Sequence, residues 1–260
     1  MILEILTSKL LKAFTDKVKL SPLEKLDKAE KLDLPVDCFQ FYKSVSSVYS
    51  SKIEGEDIDF DSYFKHRFLN VKFKPDYTRK ADDLYAAYDF IDKQKLDLKN
   101  VQKAHGILSS KLLPKSQQGL IRTNPMFVIN SDDRIEYVAA PPELVKGELE
   151  KLFNDIDLLQ NTDLNDFEIF YYAAMIHLVF VKIHPFQDGN GRTARLLEKW
   201  FLIENIEEKA TSVQLEKNYY TRINDYYSNI RKLGLEYEDL DYNKSLDFLL
   251  MTVSGLDDKK

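Results

Sequence analysis

The segment Ile169-Phe-Tyr-Tyr-Ala-Ala-Met-Ile-His-Leu-Val-Phe-Val-Lys-Ile183, continued by His184-Pro-Phe-Gln-Asp-Gly-Asn-Gly-Arg-Thr-Ala-Arg195 and Leu196-Leu-Glu-Lys-Trp-Phe-Leu-Ile-Glu-Asn-Ile206, decides the fold. A run that is apolar on every side reads as a buried helix. Two such runs flank a polar loop, so the loop is expected to lie between two buried helices, with Gly189 to Gly191 opening the second. Unpaired N–H groups and a positive dipole end at that helix start make an anion site. Gly189 and Gly191 let the backbone approach phosphate oxygens closely, with Asn190 between them. Asp188 suits Mg²⁺, which binds through one or two carboxylates plus phosphates and waters. Arg192 and Arg195, three apart, can share one helix face and clamp a polyphosphate. His184, at the other end, is a candidate general base. Together these residues point to phosphoryl or nucleotidyl transfer.

The chain has 260 residues, 44% of them hydrophobic, enough to bury a sizeable core. Only 8 glycines and 8 prolines fit a helix-rich chain better than a sandwich or barrel of many tight turns, so the fold class is read as mostly α. A net charge of −6 argues against a general nucleic-acid or anionic-membrane binder. The lone cysteine, Cys38, lies in an apolar run and is expected as a buried small hydrophobe. Glu4 interrupts the apolar N-terminus, which argues against a secretory signal. The run from Ile169 to Ile183, broken by His177 and Lys182, falls short of the roughly 20 residues of a membrane span. A cytoplasmic protein is expected.

Outward from the loop, residues 1–34 read as a peripheral helical appendage, with Ser21-Pro-Leu-Glu as a helix start. From Pro35 to Ile53, Phe39, Tyr42, Val45, Val48, Tyr49 and Ile53 recur at helical spacing, and Gly55 follows as a stop. Helical patterns continue over Lys80 to Lys95, Leu98 to Leu113 and Glu143 to Leu159. Met126-Phe-Val-Ile-Asn and Arg134-Ile-Glu-Tyr-Val, separated by Ser131-Asp-Asp, read as a β-hairpin. A helix over Gln214 to Lys232 and an apolar segment, Leu246 to Val253, complete the chain.

Three other motifs fail on structural grounds. Gly189-Asn-Gly-Arg-Thr-Ala194 formally fits a dinucleotide fingerprint, but no βαβ pattern surrounds it. No Gly-Lys-Ser/Thr follows a glycine-rich loop, which excludes a P-loop. His177 and His184 would sit roughly 10 Å apart along one helix, too far to share a zinc ion at about 2 Å from each. His177 is therefore read as a packed or hydrogen-bonded helix residue.

The loop resembles the signature of the Fic family (filamentation induced by cAMP), HxFx(D/E)GNGRxxR. Every fixed position is present, as His184, Phe186, Asp188, Gly189, Asn190, Gly191, Arg192 and Arg195. Eight positions, each roughly one in twenty by composition, make chance agreement negligible. The similarity is judged to run from about Phe41 to Leu250. It implies an all-α helical bundle over 35–255 with a small hairpin flap (about 126–138), and transfer of AMP from ATP to a Ser, Thr or Tyr hydroxyl of a target protein. It further implies His184 as base, Asp188 on Mg²⁺, and Gly189, Asn190, Gly191 and Arg192 on the phosphates. Arg195 would meet the γ-phosphate and Phe186 would anchor the loop. Phe127, Val128 and Ile129 of the flap would dock the target segment by main-chain pairing, with Gly119, Arg122 and Pro141-Pro142 around it.

Ser50-Ser-Lys-Ile-Glu54-Gly55 resembles the family's inhibitory pattern, (S/T)xxxE(G/N), in the class whose inhibitory helix (about 36–54 here) is N-terminal in the same chain. Ser50 and Glu54 are i and i+4, on one face, and Glu54 is expected to pair bidentately with Arg195. Tyr219 and Tyr220 resemble the tyrosine pair that follows the signature, and Tyr220 is taken as the nucleotide contact, with Tyr226-Tyr227 as a competing pair. Other transferred groups, removal of AMP, and a nucleotide-sensing regulatory protein without enzymatic activity stay open. So do a homodimer and a second copy of the chain as the target protein.

Overall fold

The computed structural model describes residues 2–28, 36–129 and 135–256. The chain folds as helices with one small hairpin. Its elements are α1 (Leu11–Val18), α2 (Pro22–Lys28), α3 (Cys38–Ile53), α4 (Phe60–Leu69), α5 (Pro75–Ile91) and α6 (Leu98–Leu108). There follow β1 (Phe127–Ile129), β2 (Ile135–Val138), α7 (Pro142–Gln160), α8 (Asp166–Ile183), α9 (Asn190–Ile206), α10 (Leu215–Thr221), α11 (Ile223–Arg231) and α12 (Leu246–Ser254).

Helix α8 is the axis of the core. Every residue from Ile169 to Ile183 is buried, as its all-round apolar sequence requires. Asn165 and Glu168 close a reciprocal capping box at its start. At its end His184 turns the chain left-handed, at φ 53°. Helix α9 returns along α8, with Leu196, Leu197, Phe201 and Leu202 buried. Helices α6, α7 and α12 cover the pair.

Helix α3 packs against α5 and α10. Of its expected apolar face only Val45, Val48 and Ile53 are buried, while Phe39, Tyr42 and Tyr49 stay half-buried. Ser44, Ser46, Ser47, Ser50 and Ser51 are buried instead. Small side chains let α3 approach its neighbours closely. Ser46 donates to the buried Glu216 carboxylate at 2.8 Å, which also accepts from Tyr88 at 2.6 Å and faces Lys199 at 3.7 Å. Cys38 is exposed rather than buried, because it stands on the first turn of α3, before that helix reaches the core at Ser44.

Other expectations shift for local reasons. Helix α5 runs from Pro75 to Ile91, earlier than Lys80 to Lys95, since proline suits a first helical turn. Helix α6 stops at Leu108, with Ser109 capping it, short of Leu113. The helix expected over Gln214 to Lys232 breaks at Arg222 (φ −121°) into α10 and α11, where the Thr221 hydroxyl bonds the Asn218 carbonyl. The hairpin pairs Phe127 with Val138 and Val128 with Tyr137, with a bulge at Val128/Ile129. Its expected turn, Ser131-Asp-Asp, and residues 29–35 lie outside the described residues.

Residues 2–28 pack onto the main core. Leu6 and Phe14 enter the main core, Phe14 edge-on to Tyr171. The buried Asp155 carboxylate of α7 accepts the N–H groups of Glu4, Ile5 and Leu6 at 2.7, 2.9 and 2.8 Å. Asp155→Ala leaves three donors without an acceptor and is expected to cost about 3 kcal/mol. A loss under about 0.5 kcal/mol in urea unfolding, the scale of a neutral surface change, would show that the N-terminal segment does not depend on it.

Candidate active site

The loop from His184 to Gly189 is held at both ends and in the middle. Asn190, buried, accepts the Phe186 N–H at 2.8 Å and donates to the Phe186 carbonyl at 2.8 Å. Phe186, fully buried, stacks on His105 of α6 at 3.7 Å between centroids. His105 accepts the Gly119 N–H through Nδ1 at 2.9 Å and donates from Nε2 to the Asp188 carbonyl at 2.8 Å. Arg122 donates to the carbonyls of His184, Asn124 and Ala140, each at 2.6 Å, and to that of Ile183 at 3.2 Å. Sequence reasoning placed Arg122 only near the flap and passed over His105. Their partners lie 62 and 83 residues away, with no local pattern to announce them.

Gly189 adopts φ +80°, a conformation that favours glycine, and α9 begins after it. The first bond of α9 runs from Thr193 N–H to the Gly189 carbonyl at 2.9 Å. The N–H groups of Asn190, Gly191 and Arg192 precede it and point out of the helix start. Arg192 is buried, and its Nε has no hydrogen-bond partner among the described residues. An orphaned guanidinium N–H beside a helix N-terminus fits a phosphate oxygen. Asp188 is exposed; its Oδ1 accepts from the Gly189 N–H at 2.5 Å and from Arg192 at 3.3 Å. No cluster of three or more metal-binding side chains occurs among the described residues, but a lone exposed carboxylate fits Mg²⁺ shared with phosphates.

His184 faces a cavity of about 650 Å³ together with Gly191, Arg195, Glu54, Val128 and Tyr226. Its Nδ1 lies 3.3 Å from the Val181 carbonyl and 3.2 Å from the Tyr137 hydroxyl of β2. A carbonyl only accepts, so the proton belongs on Nδ1 and Nε2 keeps its lone pair. Burial pulls the imidazole pKa down to about 4, aided by the Arg122 charge and partly offset by the Val181 bond. His184 is therefore neutral near pH 7, the state a base needs.

Arg195 is fully buried. Its Nε donates to the Ser50 hydroxyl at 2.8 Å; its Nη2 donates to the Ser50 carbonyl at 3.1 Å and to Glu54 Oε1 at 2.6 Å. The pairing expected to be bidentate is thus single, because Ser50 takes Nε. Burial alone would raise the Glu54 pKa, but the charges of Arg195 and Arg192 hold it below the usual carboxylate range. A methyl group on Gly191 would lie 2.7 Å from Glu54 Oε1, so the carboxylate rests directly on the start of α9.

Tyr220, expected at the nucleotide, is not among the residues lining the cavity. Its ring meets Tyr49 at 5.6 Å and Lys52 at 5.2 Å. The break at Arg222 rotates Tyr226 and Tyr227 of α11 into the cavity instead. On the hairpin, Val128 and Ile129 line the cavity, while Phe127 and Ile129 are more than half exposed.

Residues 95–202 match the model of the Fic/DOC family. Protein adenylyltransferase fic-1 of Caenorhabditis briggsae is 37% identical over 81 residues, 31% of this chain and 14% of that protein. Protein adenylyltransferase Fic of Aedes aegypti is 62% identical over 32 residues, 12% of this chain and 6% of that protein. Among solved structures, a Fic family protein from Desulfovibrio desulfuricans superposes with a TM-score of 0.75 at 17% identity, over 98% of this chain and 74% of that one. Fic-1 from C. elegans gives 0.66 at 17% identity, over 95% and 68%. These structural likenesses establish the fold. No helix among the described residues is long and apolar enough to cross a membrane.

The unfolded imidazole of His184 takes up a proton below about pH 6.5, whereas the folded one resists until about pH 4. Its contribution to stability is therefore complete above that window and falls as pH drops through it. Imidazole NMR should find His184 neutral at pH 6; titration near 6.5 would contradict the buried geometry.

Proposed function

We propose, from the premise that this chain carries a Fic/DOC family domain, that it is an autoinhibited protein adenylyltransferase. It moves AMP from ATP to a Ser, Thr or Tyr hydroxyl of a target protein. The observation that carries this reading is one cavity holding His184, the start of α9, Arg195 and the Glu54 carboxylate that occupies Arg195.

The target segment lies along the hairpin, whose strand β1 pairs on one side only among the described residues. Main-chain pairing there tolerates many sequences and leaves the choice of target to other surfaces. His184 Nε2 takes the proton of the incoming hydroxyl, and the oxygen attacks the α-phosphorus. The bond from that phosphorus to the bridging oxygen breaks and pyrophosphate leaves. The N–H groups of Asn190, Gly191 and Arg192, with the Arg192 Nε that has no partner among the described residues, hold phosphate oxygens in place. Mg²⁺, when bound, neutralises phosphate charge, and Asp188 would hold it.

Glu54 opposes this twice. It occupies Arg195, which would otherwise meet the γ-phosphate, and it sets a negative charge on Gly191 where phosphate belongs. A 99:1 bias toward the blocked state needs only about 2.7 kcal/mol of difference between the two states.

Incubated with ATP and Mg²⁺, Glu54→Gly is expected to gain mass corresponding to AMP, by intact mass spectrometry, well above the parent protein. Adding His184→Ala should abolish the gain while the protein stays folded by circular dichroism. A gain of phosphate instead, or an equal gain in the parent, would overturn the assignment.

A further inference from the structure

Arg195 makes four hydrogen bonds among the described residues, and three of them go to Ser50 and Glu54 of α3. Anything that lifts α3 away to free the site removes those three together. The fourth comes from a different element: Arg195 Nη1 donates to the Tyr226 hydroxyl of α11 at 3.3 Å.

Tyr226 is itself held from behind. A guanidinium only donates, so the Tyr226 hydroxyl accepts from Arg195 and its own proton is free to go elsewhere. It reaches His177 Nε2 at 3.0 Å. His177 then carries its proton on Nδ1, which lies 2.6 Å from Glu198 Oε2. A carboxylate only accepts, and every donor in the chain points the same way: Arg195 to Tyr226, Tyr226 to His177, His177 to Glu198. Glu198 also accepts from the Tyr219 hydroxyl and from the Thr252 hydroxyl of α12, each at 2.8 Å to Oε1. Tyr226, His177, Glu198, Tyr219 and Thr252 are all buried to within 1%. An oriented run of hydrogen bonds ending in a buried, satisfied carboxylate polarises each member toward the charge and fixes its rotamer. The run also supplies a buried negative charge toward Arg195 that does not depend on Glu54.

We propose that Tyr226, backed by His177 and Glu198, is a positioning residue. Once Glu54 has left, it keeps the Arg195 guanidinium aimed into the cavity, together with the two Ser50 bonds while α3 stays in place and without them when α3 lifts away, and so sets the preference of the site for a nucleoside triphosphate over a diphosphate. This rests on the nucleotide reading above, in which Arg195 meets the γ-phosphate. A ligand that ends at the β-phosphate does not reach Arg195, so its binding is indifferent to Tyr226.

The test is calorimetric binding of ATP and ADP with Mg²⁺ to Glu54→Gly and to the same protein carrying Tyr226→Phe, which removes one oxygen and leaves the packed ring. Glu54→Gly is expected to bind ATP about tenfold more tightly than ADP. Tyr226→Phe should weaken ATP about tenfold and ADP less than twofold, the worth of one hydrogen bond to a charged group. His177→Gln in the Glu54→Gly background, whose amide can accept from Tyr226 and donate to Glu198, should keep most of the preference at an unchanged thermal midpoint. Equal weakening of ATP and ADP by Tyr226→Phe, an unchanged ratio, or no ATP preference in Glu54→Gly would overturn the proposal. Tight, Tyr226-dependent ATP binding without AMP transfer would sink the transferase reading and leave this one standing.

Discussion

A guanidinium with no exposure to water must find partners for its donors, and Arg195 is such a group. Its bonds fix the relative positions of three helices. Ser50 and Glu54 bring α3 to it, Tyr226 brings α11, and Arg195 itself stands on α9 about one and a half turns inside the helix start. The rest of α3 is seated to match, through Ser46 on Glu216 and through Tyr227, whose hydroxyl donates to the Ile53 carbonyl at 3.1 Å. The last turn of α3 therefore cannot shift without loosening contacts to Arg195 and α11 together. In the proposed function this one cation is both what the donor nucleotide needs and what the chain itself occupies.

The loop beside it is built for rigidity. Arg122 ties four carbonyls, Asn190 closes Phe186 on both its N–H and its carbonyl, and His105 carries the Asp188 carbonyl while stacking on Phe186. Positioning of this kind sets reacting groups in place before substrate arrives. The exposed side of the site holds Asp188 and the hairpin residues Phe127, Ile129 and Ile135. Tyr137 links the two parts, since its hydroxyl donates to the Val181 carbonyl beside His184 while its strand pairs with β1.

What the sequence made legible was local. The all-round apolar run of α8, the glycines that open α9, the hairpin and the Ser50/Glu54 spacing each occupy a few neighbouring residues whose pattern carries its own physical meaning. What stayed hidden was made by contacts between distant parts of the chain. The Arg195–Tyr226–His177–Glu198 run joins α8, α9 and α11, and nothing near Tyr226 marks it apart from Tyr219 or Tyr220. The choice among those tyrosines turns on the break at Arg222, a backbone detail that helical periodicity passes over. Residues 2–28 looked peripheral because their charges alternate with apolar residues; Asp155, about 150 positions later, is what draws them in.

The central claim is that the charge of Glu54, more than its bulk, keeps the site closed to a triphosphate. Glu54→Gln preserves shape and removes the charge. ATP affinity measured by calorimetry should rise at least tenfold over the parent protein, toward the roughly 100-fold that release of a 99:1 bias allows. An unchanged affinity, with Glu54→Gln folded and equally stable, would contradict it.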